Sequence, residues 1–213
     1  MKCLIEIHYL PCIAYFSHIA KFNEAIIEKN EYYVKQSYRN RCHINTDHGL
    51  EKLIIPVSTK QSKTPVSEVL IDHSQKWINN HWRAIESAYR KAPFFEHYAN
   101  DLNQVLYKKH EFLYDLNFEL LTMCLAWLNL PVSLHESKTF EKEPNMGIRD
   151  MRGKILAKNY DLTDTNLSAL EYHQVFGNSF VRNLSVIDLL FCEGPAARKL
   201  VLSAVNHEQN KIS

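Results

Sequence analysis

Glycine is scarce, at 5 of 213 residues, and none of the five falls within GxGxxG or GxxxxGK. That excludes the dinucleotide fingerprint and the P-loop, the familiar glycine-built phosphate cradles. There is no CxxC pair, and no HxxxH lies on a predicted helix. The usual ligand spacings of a zinc site are therefore missing, and no metal is expected. The five cysteines (Cys3, Cys12, Cys42, Cys124 and Cys192) are odd in number and widely separated, which reads as reduced thiols in a cytoplasmic protein. No apolar run approaches the roughly 18–20 residues that cross a bilayer. The opening MKCLIEIHYLPCIAYF carries Glu6 and His8 inside its apolar stretch, unlike a signal peptide. A charge excess is absent too: 25 Lys and Arg face 24 Asp and Glu, a formal charge of +1. Nothing draws the whole chain to nucleic acid or to a membrane, so any basic site must be local.

What is present is an ordinary globular mixture, 46% apolar and 23% charged, long enough to bury a full core. The expected organisation is one domain over 1–213, strand-rich to about residue 73 and mainly helical from about 74 to 205. The fold class is α/β, with a mixed sheet in the N-terminal third. CLIEIHY (3–9) alternates as a strand; Pro11 ends it, and IAYFSHIAKF (13–22) has a helical period. EAIIEKNEYYV (24–34) reads as a second strand with a polar interruption, and 42–57 as two strands around an Asp47-His48-Gly49 turn. A short strand follows in SEVLID. From Trp77 to Leu128 the apolar spacing is helical, with Ser74 placed as a cap, a break at Pro93 and another near Asp115. Residues 131–150 read as a loop, 151–157 as a short helix, Leu184, Ile187, Leu190 and Phe191 as helically spaced up to a stop at Gly194-Pro195, and Ala196–Val205 as a terminal helix.

YYVKQSYRNRCHI (32–44) is the densest polar segment, interleaving Lys35, Arg39 and Arg41 with three tyrosines. Arginine offers a planar fork for carboxylate or phosphate, and lysine a point charge beside it. The alternatives are a solvated edge strand or a base-stacking platform. Near-zero net charge argues against the last, and no nucleic-acid partner is expected.

YLPCIAYFSHIA, YYVKQSYRNRCHI, LIIPV, KWINNHWRAIESAYRKAPFFEHY and NLSVIDLLFCEGP, in that order, resemble the WbqC-like protein family in its Bacteroidetes-type form. The resemblance runs from about residue 4 to about 202. It implies a link to O-antigen and other surface-polysaccharide assembly, with glycine transfer suggested for some members. The function expected from it is a cytoplasmic group transferase acting on an anionic or sugar-linked small molecule. Contact with polysaccharide-assembly enzymes is also expected, and a scaffold that assists a glycosyltransferase is the alternative. No cofactor is named by it. Lys35, Asn40, Arg41, Trp77, His81, Tyr89 and Pro93 match the family pattern. Two departures stand out. The opening Glu6-Ile7-His8-Tyr9, Pro11-Cys12 and Ala14-Tyr15-Phe16 stands where the family has Gln-Pro, Pro-Trp and Gly-Tyr-Phe, and Glu28-Lys29 replaces a pair of acids, which argues against divalent-metal binding there.

The candidate catalytic residues are His8, at the end of the first strand, and His81, one helical turn after Trp77. Histidine is the side chain most readily poised near neutral pH. Tyr9, Lys35, Asn40, Arg41 and Tyr89 are the candidate substrate-binding residues. Cys42, between Arg41 and His43, reads as a nucleophile or as a small buried hydrophobe. Ser185 and Asp188 read as a helix cap and a first-turn acid.

Overall fold

A computed structural model of the chain describes residues 1–59, 63–157, 170–177 and 179–209, with side chains described through residue 204. Its elements in chain order begin with β1 (Lys2–Glu6), α1 (Ile13–Ile19) and β2 (Glu24–Glu28). The hairpin β3 (Arg41–Thr46) and β4 (Gly49–Ile54) follows, then the short strands β5 (Val57–Ser58) and β6 (Leu70–Ile71). Next come α2 (Trp77–Tyr89), α3 (Phe95–Tyr107) and α4 (Leu113–Trp127), strands β7 (Ser133–Glu136) and β8 (Ile148–Asp150), and helices α5 (Val186–Glu193) and α6 (Ala197–Gln209).

The fold is α/β. Four strands form a parallel sheet in the order β7-β2-β1-β8, while β3 with β4 and β5 with β6 make antiparallel pairs. Alternation decides which face of the parallel sheet is covered. Cys3, Ile5, Ala25 and Ile27 are fully buried towards the hydrophobic core, which the helices share. Lys2, Leu4, Glu24, Ile26 and their in-register neighbours face the other way. Parallel sheets normally carry helices on both faces; this one has a loop, residues 137–147, on its second.

The hairpin turn falls where Asp47-His48-Gly49 predicts it, with Gly49 at φ 92. Several boundaries differ from expectation. β1 stops at Glu6 rather than Tyr9, because residues 7–12 turn sharply and Leu10 takes a positive φ of 40. β2 stops at Glu28, where the polar Lys29–Glu31 interruption takes the chain off the sheet. Ser74 does not cap α2: its hydroxyl donates to Asp72 at 2.6 Å, and Lys76 is the residue before the helix. The break between α3 and α4 lies at 108–112, not at Asp115, because Ile71 N–H bonds the Glu111 carbonyl and Leu113 N–H bonds that of Val69. Within 131–150, read as a loop, β7 and β8 are the two edges of the parallel sheet. Strands of three and four residues are too short to display a period and form by pairing with buried neighbours. Residues 151–156 form turns rather than a helix, with Gly153 at φ 68.

Gly194 ends α5 as expected, at φ 53, and a Cβ there would lie 2.5 Å from the Phe94 ring. Both the backbone conformation and the space require glycine. Gly194→Ala should therefore destabilise the fold by about 1–3 kcal/mol in chemical denaturation. A change within experimental error would contradict this packing.

Candidate functional site

Each strand of the parallel sheet ends in a carboxylate: Glu6, Glu28, Glu136 and Asp150. Glu6 and Glu28 are register partners, so they stand side by side on one face of adjacent strands, and both are buried. The carboxyl edge of an open parallel sheet is where α/β proteins hold their ligands.

Three segments converge on these acids. Arg152, just past β8, donates all five of its N–H groups. Nε and Nη2 reach Asp150 at 3.0 and 2.8 Å, and Nη1 reaches Glu28 Oε2 at 3.3 Å and the Glu141 carbonyl at 2.9 Å. Nη2 also reaches the Lys142 carbonyl at 3.1 Å, and the guanidinium lies 5.4 Å from the Phe140 ring centre. Ser137 donates to Glu28 Oε1 at 2.6 Å, and Asn30 N–H bonds the same oxygen at 2.9 Å. The third segment, 29–40, carries Arg39, whose Nε and Nη2 lie 2.7 and 2.6 Å from Glu31 Oε1. Burial drives Glu31 up to about 7, with Arg39 pulling against it and the charges of Glu6 and Glu28 adding to it.

At the centre of this edge Glu6 Oε1 lies 3.4 Å from His8 Nε2. Gly153 N–H also reaches both Glu6 oxygens, at 3.2 and 3.1 Å. Burial opposes ionisation of Glu6, while the hydrogen bond from His8 and the charge of Arg39 favour it, and the carboxyl is held below its ordinary value. His8 is 1% exposed, and burial holds its pKa below the usual imidazole value in spite of Glu6. A neutral His8 therefore donates Nε2–H to the Glu6 carboxylate and keeps a lone pair on Nδ1. Among the described residues that nitrogen has no hydrogen-bond partner. The ring packs between Tyr15 and Tyr38, with centroids 4.9 and 5.2 Å away.

The loop carrying His8 and Tyr9 is fixed from the other end of the chain. Ser185 Oγ donates to the Leu10 carbonyl at 2.8 Å, Val186 N–H bonds that of Pro11, and Asn183 Oδ1 accepts from Ala14 N–H. Ser185 stands at the N-cap position of α5, but its hydroxyl clamps this loop instead of capping the helix. These contacts hold the positive φ at Leu10, a strained conformation of the kind that gathers at functional sites.

The other sequence candidates are dispersed. His81 is buried, with Nδ1 3.0 Å from the Tyr9 hydroxyl and Nε2 3.2 Å from the Ile54 carbonyl. Both of its nitrogens are engaged, so it fixes Tyr9, and none of its contacts is with His8. Tyr89 donates to Asp188 at 2.7 Å and accepts from Asn45 N–H. Tyr172 donates to the other Asp188 oxygen, and burial raises this acid to about 6 against those hydrogen bonds. Asn40 Nδ2 donates to the Ile55 carbonyl, leaving Oδ1 buried without a hydrogen-bond partner among the described residues. Arg41 is half-buried at the start of β3 and its Nε is likewise without a partner, whereas Lys35 is exposed in a turn. Of the three tyrosines in the segment only Tyr32 is exposed, and Tyr38 is buried against the His8 ring, so they form no stacking platform. Burial pushes the Cys42 thiol far up, which suits a small hydrophobe and not a thiolate. No group of three or more His, Cys, Asp or Glu among the described residues is arranged to hold a metal ion, and none of their helices is long and apolar enough to cross a membrane.

None of Glu6, Glu28, Glu31 and Arg152 is among the site residues expected from the sequence. Glu6 and Glu28, register partners on adjacent strands, bring two carboxylates together at the sheet edge. The signal available was the acid closing each apolar strand, KCLIE and EAIIE.

An α/β protein with a polar, largely buried carboxyl edge is the class this geometry defines. The WbqC-like protein family matches residues 7–160 and 154–200, and the chain belongs to it. It is also similar to a Mycobacterium tuberculosis protein named Uncharacterized protein Rv1507c, with 34% identity over 140 residues. That match covers 65% of this chain and 60% of the relative's length. No solved structure matches the chain.

Burial lowers the His81 pKa from 6.5 to about 4. Between those values the unfolded chain binds the proton and the folded one does not, so stability is present above 6.5 and is lost as the pH falls. This group contributes about 3 kcal/mol to that loss. Carbon-13 NMR titration of the His81 ring should give a midpoint near 4; a midpoint near 6.5 would remove the basis for its role.

Proposed function

We infer that this chain is a group transferase of bacterial surface-polysaccharide assembly, of the O-antigen type, with aminoacyl transfer such as glycine transfer to a sugar intermediate as its reaction class. The observation that supports this best is the Glu6–His8 pair at the carboxyl edge, with Nδ1 of His8 unengaged. Glu6 fixes the tautomer and stabilises the imidazolium as it forms. His8 Nδ1 takes the proton of an attacking amine or hydroxyl as its nitrogen or oxygen bonds to the transferred carbonyl carbon, the bond from that carbon to the leaving group breaks, and His8 gives the proton to the leaving group. Arg41 and Lys35 attract an anionic portion of the substrate, Asn40 Oδ1 accepts from a hydroxyl or amine beside it, and His81 and Tyr89 act by holding Tyr9 and β3. The Tyr38 ring covers His8, so that ring must move for a substrate to reach Nδ1.

One observation favours a non-catalytic role beside a polysaccharide-assembly enzyme: Tyr9, His81 and Tyr89 are all committed to internal hydrogen bonds. The two readings separate in one experiment. Purified protein is screened by thermal shift against nucleotide sugars, coenzyme A thioesters, ATP and glycine, and any pair containing a ligand that shifts it is assayed for turnover. Under the transferase reading Arg41→Ala loses the shift, while His8→Asn keeps it and lowers turnover about 10²–10⁴-fold. A ligand that shifts the protein with no turnover in the wild type would favour the binding role instead.

A further inference from the structure

The loop that presents His8 is bent against the preferences of its own residues. Leu10 takes φ 40, a region that a leucine rarely adopts, and Pro11 favours an extended residue before it. The compensation comes from the entrance to α5. Ser185 Oγ donates to the Leu10 carbonyl at 2.8 Å, and Val186 N–H to the Pro11 carbonyl at 2.9 Å. Beyond them, Ile13 N–H bonds the Leu184 carbonyl at 3.0 Å and Asn183 Oδ1 accepts from Ala14 N–H at 3.0 Å. Ser185 N–H bonds the His43 carbonyl at 2.8 Å, so one residue joins the loop to β3.

Ser185 differs from an ordinary core serine. Serine before a helix normally caps it, yet α5 has no side-chain cap, because the hydroxyl is turned to Leu10 instead. Leu10 and Ser185 are both buried, so solvent offers that carbonyl no substitute donor. Ser17, also buried, returns its hydroxyl to the Ile13 carbonyl of its own helix. His8 lies two residues before Leu10, with Nε2 against Glu6, which Gly153 N–H holds from outside the loop. With β1 anchored before the loop and α1 beyond it, any relaxation of Leu10 must be taken up by residues 7–9, which carry His8.

We propose that Ser185 is a positioning residue for His8: by holding the Leu10 carbonyl in the left-handed bend, its hydroxyl keeps the imidazole aligned on Glu6 with Nδ1 bare. This rests on the Glu6–His8 pair of the transferase reading, but its test reads the ring and not turnover, so either can fail without the other. The variants are Ser185→Ala, Ser185→Cys, whose thiol is a weaker donor, and Ser17→Ala as the control, each checked for its fold by core methyl spectra. Nitrogen-15 NMR at pH 7 reads the ratio of the Nε2–H to the Nδ1–H tautomer of His8. That ratio should drop roughly 5-fold in Ser185→Ala, the worth of one hydrogen bond, and by less in Ser185→Cys. Ser17→Ala should leave it as in the wild type, and the His110 ring, held by Glu119, should be unchanged in all three. An unaltered His8 ratio in a folded Ser185 variant would overturn the proposal. So would an equal change in Ser17→Ala, which would mark loss of packing alone. Loss of the fold in both Ser185 variants would make this a residue of the core and not of the site, and would overturn it too.

Discussion

Two buried glutamates standing in register set the terms for everything around them. At the strand spacing of ~4.8 Å, like charges at an effective dielectric near 20 repel by about 3 kcal/mol. Neither Glu6 nor Glu28 can shed that repulsion into water, because both are buried. Their compensation comes from outside the sheet: Arg39 and His8 for Glu6, Arg152 and Ser137 for Glu28. The segments bearing those partners contain little regular structure, and their paths follow from the need to deliver a cation or a donor to the sheet edge. The 29–40 segment folds over His8 for this reason, and the 137–147 loop arches over the outer face for the same one.

The arrangement also explains why His8 alone among the sequence candidates keeps a usable lone pair in the centre of the edge. Glu6 engages Nε2, and the rings of Tyr15 and Tyr38 hold the imidazole in place. His81 and Tyr89, by contrast, knit α2 to the His8 loop and to β3. The segment 32–44, which looked like an anion-binding rim, divides by depth into exposed Lys35, half-buried Arg41 and a fully buried Tyr38 that roofs the imidazole.

Much of the fold could be read from periodicity. β1, α1, the β3–β4 hairpin and α2 each carry enough residues for a period of 2 or 3.6 to show. β7 and β8 do not; SLHE and IRD are strands only because β2 and β1 offer them unpaired edges. The site was legible in part for a related reason. His8 and Tyr9 sit where a first strand ends, which is a local feature. The pairing of Glu6 with Glu28 depends on register, and Arg152 reaches Glu28 across 124 positions. Ser185 looked like a cap because serine before an apolar run usually is one; its partner, Leu10, lies 175 positions away.

The central claim is that Glu6 fixes His8 as a neutral imidazole with an unprotonated Nδ1. Nitrogen-15 NMR of the histidine side chains at pH 7 tests it directly. The account predicts that His8 carries its proton on Nε2 and that Nδ1 shows the shift of a bare ring nitrogen, a pattern that Glu6→Gln weakens. An imidazolium at pH 7, or a proton on Nδ1, would contradict it.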